Sequence, residues 1–414
     1  MFIEELLDFC CEMGRQLTRN GGEIYRVEES ITRILAAYGY PQAEVFAIPS
    51  YVTVSVREAG HTYTSMVRIR DSANRLEYLD RLNDLCRRIC REPMEIGQAR
   101  AELEAIVHRA LYPVTVSYLL NGVVAAFSTL LWGGTAPDAC IAFFCGLLIR
   151  LIVPKLRSMR TNIFFLNVIA AMAQAAVPLL LIRLGLPNHS DKVIIGTIML
   201  LVPGLAITNA MRDVLAGDFL TFVVRMAEVL ITAVAIALGI AVSIALFRLI
   251  PTAKPLYTPT ETRNLPALQC VYAAIACLGF CGVFEVHRLK FVLASCFAGG
   301  AAWGIYLLTA NCSQMVRYLI ATIACALLAE IFARIFRAPA TLFLLVGIIP
   351  MVPGGGLYYT MEALLNGDRV LCAELGIQTA AAATAIAVGV SLVSSLMRLI
   401  PRCGVHHIIQ NKPD

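Results

Sequence analysis

Charge is what this 414-residue chain has least of: 15% of its residues are Asp, Glu, Lys or Arg, against about 25% in soluble domains. The deficit is uneven. Residues 1–109 hold most of the acids and many of the bases, whereas from Ala110 onward apolar runs follow one another. About 20 apolar residues suffice to cross a bilayer. A purely soluble protein is excluded, and two regions are expected: a small soluble domain and a multi-pass membrane domain. Reactive motifs are missing as well. There is no HExxH, no GxSxG and no Walker A pattern, and Asp218 and Asp368 sit in Ala-Gly-Asp and Asn-Gly-Asp rather than in the GxGD of intramembrane aspartyl proteases. A membrane-embedded enzyme and an intrinsic ATPase therefore find no support, and no catalytic residue is expected. Fourteen cysteines are present without one Cys-x-x-Cys, and many, such as Cys277 and Cys281, lie inside apolar runs. They read as small apolar fillers, with no disulfide framework, metal or cofactor expected. The net charge of +5 forms no basic stripe, so no nucleic-acid partner is expected. The start, MFIEELLDFCCEMG, is acidic and amphipathic and has no basic n-region of a signal peptide.

What the chain does have is pattern. Helical periodicity predicts helices over Phe2–Leu17, Glu23–Tyr38, Asn74–Arg91 and Glu95–Arg109. Alternation predicts strands over Glu44–Ile48, Tyr51–Arg57 and Thr62–Ile69, the last two split by the turn Glu58-Ala59-Gly60. Ten membrane spans are expected, near 112–132, 137–153, 163–184, 192–211, 219–249, 265–286, 290–309, 315–336, 340–364 and 370–400. With the soluble domain in the cytoplasm, Lys155, Arg157, Arg160, Arg212, Arg288, Lys290, Arg334 and Arg337 fall in inside loops. The positive-inside rule then places both termini in the cytoplasm.

One phrase is written twice. VPGLAITNAMRDVLAGD at Val202–Asp218 returns as VPGGGLYYTMEALLNGD at Val352–Asp368. Aligned without gaps from Val202 to Pro251, 17 of 50 positions are identical. They include Pro203/Pro353, Gly204/Gly354, Gly217/Gly367, Asp218/Asp368, Gly239/Gly389 and the closing RLIP. This is an internal duplication. It divides the chain into a soluble domain (1–109), a first five-helix half (110–251) and a second half with a short tail (252–414). Five spans per half is an odd number, so the halves are expected to run in opposite directions, as in many secondary transporters. Each VPG removes a backbone donor and loosens a helix inside the membrane. Such a break is tolerable only where it is buried or lines a wet cavity.

The phrase GGEIYRVEESITRILAAYG (Gly21–Gly39), the middle VPGLAITNAMRDVLAGD and the late PATLFLLVGIIPMVPGGGLYYTMEALLNGD resemble the threonine/serine exporter family. The resemblance covers nearly the whole chain. One departure is Gly22, where the family pattern has Ala. In that family a cytosolic domain precedes two homologous five-helix halves, fused or split between polypeptides. The resemblance implies a polytopic α-helical protein of the bacterial cytoplasmic membrane that exports small amino acids, with a proton as co-substrate. Some split-chain relatives are linked to succinate, so a dicarboxylate remains the rival cargo, and a channel or sensor the rival class. A homo-oligomer stays open.

Candidate residues follow from the expense of charge and broken backbone in lipid. Charges inside or at the ends of apolar runs are Arg150, Arg225, Glu228, Glu285, Glu330 and Arg334. Arg225 and Glu228, three apart, read as an ion pair, with Arg225 for a substrate carboxylate and Glu228 for the coupling proton. Glu330 and Arg334 read as a second pair, at the cytoplasmic end of the eighth span. Pro203, Gly204, Asn209 and Asp213 at the first break, and Pro353, Gly354, Gly355, Tyr358 and Tyr359 at the second, are the further substrate-binding candidates. Asp218 and Asp368 read as helix caps. Arg26 and Glu28 in the soluble domain are assigned, from the resemblance, to contact with the membrane half and gating of its inner mouth.

Overall fold

The computed structural model describes residues 2–70, 75–108, 112–186, 188–202, 206, 210, 213, 217–249 and 265–399. The soluble domain comes first. Helices α1 (Phe2–Arg19) and α2 (Ile24–Ala37) are followed by strands β1 (Glu44–Ile48), β2 (Tyr51–Glu58) and β3 (His61–Arg68), then α3 (Leu76–Arg91) and α4 (Ile96–Val107). The three strands form an antiparallel meander in the order β1-β2-β3. In β2 the alternate residues Val52, Val54 and Val56 are buried. They share one core with Leu6, Phe9, Met13, Ile31, Leu82 and Leu85 of the helices. Glu58 pairs with His61, which leaves a two-residue loop in which Ala59 and Gly60 both have positive φ, 49° and 81°. That is the turn whose twist matches the strands it joins.

The membrane domain follows as α5 (Val114–Leu131), α6 (Ala136–Ser158), α7 (Ile163–Arg183), α8 (Ser190–Ile198), α9 (Phe219–Arg248), α10 (Pro266–Val283), α11 (Leu289–Leu308) and α12 (Gln314–Phe336). Helices α13 (Ala340–Ile348), α14 (Gly354–Leu365) and α15 (Arg369–Leu399) complete it. Among the described residues, eight helices are long and apolar enough to span a bilayer, and α13 with α14 makes a ninth, bent by 40°. The remaining expected span, the fourth, near 192–211, opens as α8, and its continuation lies largely outside the described residues. Large apolar side chains such as Phe144, Phe165, Val223, Leu230 and Phe297 point outward from these helices. In water that would be costly; against lipid it is not. The chain is a multi-pass helical membrane protein.

The two halves repeat their contacts. In the first, α5 packs on α6, α6 on α7 and α7 on α9; in the second, α10 packs on α11, α11 on α12 and α12 on α15. Helices α8 and α13, each nine residues and 150 apart in sequence, are each enclosed by the three preceding helices of their own half. Gly239 of α9 lies against the backbone at Val168 of α7, and its repeat partner Gly389 lies against Thr322 and Leu319 of α12. A side chain at either would force the paired helices apart, so small residues let the backbones approach.

The soluble domain sits on the turn between α10 and α11. Leu76 N–H donates to Phe284 O (3.0 Å), and the Glu77 carboxylate accepts from His287 N–H (2.7 Å). Arg75 pairs with Glu285 at 3.2 Å and Asp80 with Arg288 at 3.4 Å. The Tyr112 hydroxyl donates to Val286 O (2.6 Å).

Candidate functional site

The second copy of the phrase shows what its proline does. Helix α13 ends at Ile348 and tightens into a 3-10 turn over Ile349–Met351. Val352 still donates to Ile349 O (2.9 Å), but Pro353 leaves helical geometry (φ −77°, ψ 57°) before α14 begins at Gly354. A proline has no N–H to continue the ladder and its ring crowds the preceding turn. In the first copy, α8 ends comparably, with Leu201 and Val202 donating back to Ile198 O. Pro203, Gly204 and Asn209 lie outside the described residues.

The second break meets the end of α8. Gly354 faces Met199 and Ile198, and Gly355 faces Ile195; a Cβ would stand 3.3 Å from Met199 Sδ at the first and 3.5 Å from Ile195 Cγ2 at the second. Glycine thus brings the start of α14 onto the end of α8. Tyr358, 3% exposed, is packed in the apolar cluster of α7, α8 and α9. The Tyr359 hydroxyl donates to Asp191 Oδ2 (3.2 Å) and accepts from Lys192 Nζ (3.0 Å).

Arg225 of α9 takes part in a buried charge pair. Arg225 Nε stands 2.9 Å from Asp213 Oδ2, the two side chains 11% and 1% exposed. The approach is ionic rather than an aligned hydrogen bond, since neither Asp213 oxygen accepts one and Nε donates none. The expected Arg225–Glu228 pair is therefore corrected. The two are neighbours along α9, but Arg225 is buried and Glu228 is exposed. Gln378, the repeat partner of Glu228, is exposed too. The repeat partners of Asp213 and Arg225 are Ala363 and Leu375, so the buried pair belongs to the first half alone.

Asp218 and Asp368 stand at the starts of α9 and α15. Asp218 accepts from Thr221 N–H (3.0 Å) and Thr221 Oγ1 (2.5 Å), and Asp368 accepts from Leu371 N–H (3.0 Å). The expected Glu330–Arg334 pair is replaced: Arg334 is exposed and donates to Met397 Sδ (3.3 Å). Glu285 lies just past α10 and pairs with Arg75. Its carboxyl is raised by burial, with Arg75 and then Arg150 opposing.

In the soluble domain, Glu23 is 2% exposed and pairs with Arg26 at 2.8 Å. Burial works against the Arg26 charge, but Glu23 foremost, and Glu330 of α12 among the rest, push its pKa above the ordinary guanidinium value. The Glu28 carboxyl accepts from Ala47 N–H (2.8 Å). Burial raises its pKa, the Ala47 hydrogen bond opposes this, and Asp218 adds to the rise. Both side chains thus lie within electrostatic reach of the membrane half.

Sequence reasoning missed three groups. Asp191 and Lys192 stand in the short polar stretch before a span and read there as loop charge. The Asp138 carboxylate, fully buried, accepts from His189 N–H (2.9 Å) and stands 2.7 Å from His189 Nδ1. Gln174 of α7 is fully buried, and neither its amide oxygen nor its amide nitrogen has a partner. A lone Gln in the apolar run AMAQAA was the available signal. Among the described residues no cluster of His, Cys, Asp and Glu is arranged to hold a metal ion.

Residues 8–247 match the family model of a threonine/serine exporter, and residues 269–396 match a second model, "Threonine/Serine exporter, ThrE". The chain is 23% identical to the "Threonine/serine exporter" of Corynebacterium glutamicum, over 97% of this chain and 84% of that protein. It is 24% identical to the "Probable threonine/serine exporter" of Mycobacterium tuberculosis, over 95% of this chain and 76% of that protein. No solved structure matches it.

Proposed function

This chain belongs to the threonine/serine exporter family, and on that footing we propose that it exports threonine, serine or a similar small amino acid as a secondary carrier. One observation carries the substrate class: the buried Arg225–Asp213 pair. A zwitterion brings one carboxylate and one ammonium. It exchanges with the internal partners one for one, its carboxylate on the guanidinium and its ammonium on Asp213. No buried charge is then left uncompensated, which is what makes such a swap affordable in a low dielectric. A dicarboxylate such as succinate satisfies Arg225 with one end and sets the other against Asp213. The amino acid is therefore favoured over the dicarboxylate.

The same carboxylate serves coupling. Asp213 bearing a proton has no charge to hold an ammonium, so proton and cargo compete for it. Competition for one site is what an exchanger needs to carry protons inward and amino acid outward. Asp213 takes the coupling role in place of the exposed Glu228. The cargo hydroxyl needs a polar partner, and Tyr358 and Tyr359, where the start of α14 meets α8, and the unpartnered Gln174 of α7 are the side chains offered. Alternating access is the rocking of two oppositely directed halves about the contact of α14 with α8, in the cytoplasmic membrane with both termini inside and Arg26 and Glu28 at the inner mouth.

The test is counterflow in proteoliposomes loaded with unlabelled threonine, serine or succinate. Labelled threonine should accumulate transiently against threonine and serine and not against succinate. Accumulation with succinate alone would reverse the substrate assignment.

A further inference from the structure

The halves are alike enough that their differences are informative. Helix α8 (Ser190–Ile198) and helix α13 (Ala340–Ile348) occupy the same repeat positions, and each leads into the repeated phrase of its half. At the start of α8 a charged couple ties the first half to the second. Lys192 stands 3.2 Å from Asp191, and both reach the Tyr359 hydroxyl on α14. Asp191 is 2% exposed. At the corresponding places on α13 the chain has Thr341 and Leu342. No charge stands there.

The soluble domain brings one. Glu23 and Arg26 at the start of α2 line, with Pro339 and Thr341, a single cavity of about 20 Å³, room for about one water. Thr341 itself is 3% exposed. Charges of both halves face this couple: Glu330 of α12 acts on Arg26, and Glu23 acts on Asp213, which precedes α9. The contacts of Arg75, Glu77 and Asp80 with the α10–α11 turn hold the domain in place from a second side.

We infer that Glu23 and Arg26 form the inner latch of the carrier, standing over α13 as the counterpart of the Asp191–Lys192–Tyr359 latch at the start of α8. Each mouth then has one charged couple at the head of one of these two helices. One is built into the membrane domain, and the other is carried by the soluble domain. Inward opening requires Glu23 and Arg26 to leave Thr341; outward opening requires Lys192 and Asp191 to part from Tyr359. The inference deepens the alternating-access reading and rests on it.

The experiment uses the full chain in proteoliposomes, with Thr341→Cys as reporter and Cys90, Cys140 and Cys312, exposed among the described residues, and Cys403 of the tail replaced by Ser. A membrane-impermeant maleimide is applied from the side of the soluble domain. Labelling should be slow in this background. It should rise about fivefold or more in Glu23→Gln and in Arg26→Gln, the scale of a lost coupling between two states. Arg26→Lys, which keeps the charge, should stay slow. Lys192→Gln frees the opposite mouth and should lower labelling further. An unchanged rate in both Glu23→Gln and Arg26→Gln overturns the latch. So does a rise in all variants, Lys192→Gln included, because that is general loosening. Labelling needs no transport, so failure of threonine exchange would sink the substrate reading and leave this result standing.

Discussion

Arg225 and Asp213 face each other at 2.9 Å across the turn that leads into α9, both buried and neither hydrogen-bonded through the facing atoms. Removing one partner strands the other charge, at a cost of about 3–5 kcal/mol for a buried pair. Asp213→Asn and Arg225→Gln should each lower the unfolding temperature in detergent and abolish exchange. The double variant should recover much of the stability and none of the exchange. Additive losses in the double variant would show that the two side chains do not compensate each other.

Gln174 is an unpartnered amide in the interior. A buried polar group without a partner costs about 1–3 kcal/mol, so Gln174→Leu should raise the unfolding temperature. If the amide is kept for cargo, the same variant should exchange threonine more slowly. Lower stability on that substitution would mean the amide is already satisfied within the protein.

The repeat predicts a ranking of glycines. At Gly239 a Cβ would run into the Val168 carbonyl oxygen, whereas at Gly389 the nearest atoms, from Thr322 Cβ at 3.0 Å to Leu319 O at 3.2 Å, stand farther off. Gly239→Ala should cost about 1–3 kcal/mol, as overpacking does, and Gly389→Ala less. Thermal unfolding of the two variants side by side decides it.

Much of this was legible in the sequence. The three strands, their turn and nine of the ten spans lie where alternation and apolar length put them, because those signals are local. The meeting of Gly354 with Met199 and of Lys192 with Tyr359 was not legible. Both depend on how two halves cross, and no period within one segment records that. The Arg225 partner was misread for a related reason. Spacing names Glu228 as a neighbour on the helix, but burial decides which charge must find company, and that company came from outside α9.

Docking of the soluble domain should respond to pH with a sign opposite to that of a simple salt bridge. Burial raises the Asp80 carboxyl above its ordinary value of 3.8, with Arg288 and Arg87 opposing and Asp84 and Glu77 adding. The docked state therefore holds its proton more tightly than a solvated Asp does. Docking should strengthen as pH falls through the raised value towards 3.8 and weaken above it. Glu285 shifts in the same direction. Asp80→Asn, which mimics the protonated form, should leave docking intact at neutral pH and flatten this dependence, while Arg288→Gln should weaken docking. Hydrogen exchange in α3 across the pH range reads both.

The most direct test of the carrier account is movement against a gradient. Proteoliposomes holding the intact protein are given equal labelled threonine on both sides and an imposed pH gradient. Secondary transport coupled through Asp213 predicts that threonine concentrates on the acidic side, and that it stays level when the gradient is collapsed or when Asp213 is Asn. Threonine that crosses the membrane yet stays level under the full gradient would contradict the account and identify a passive path.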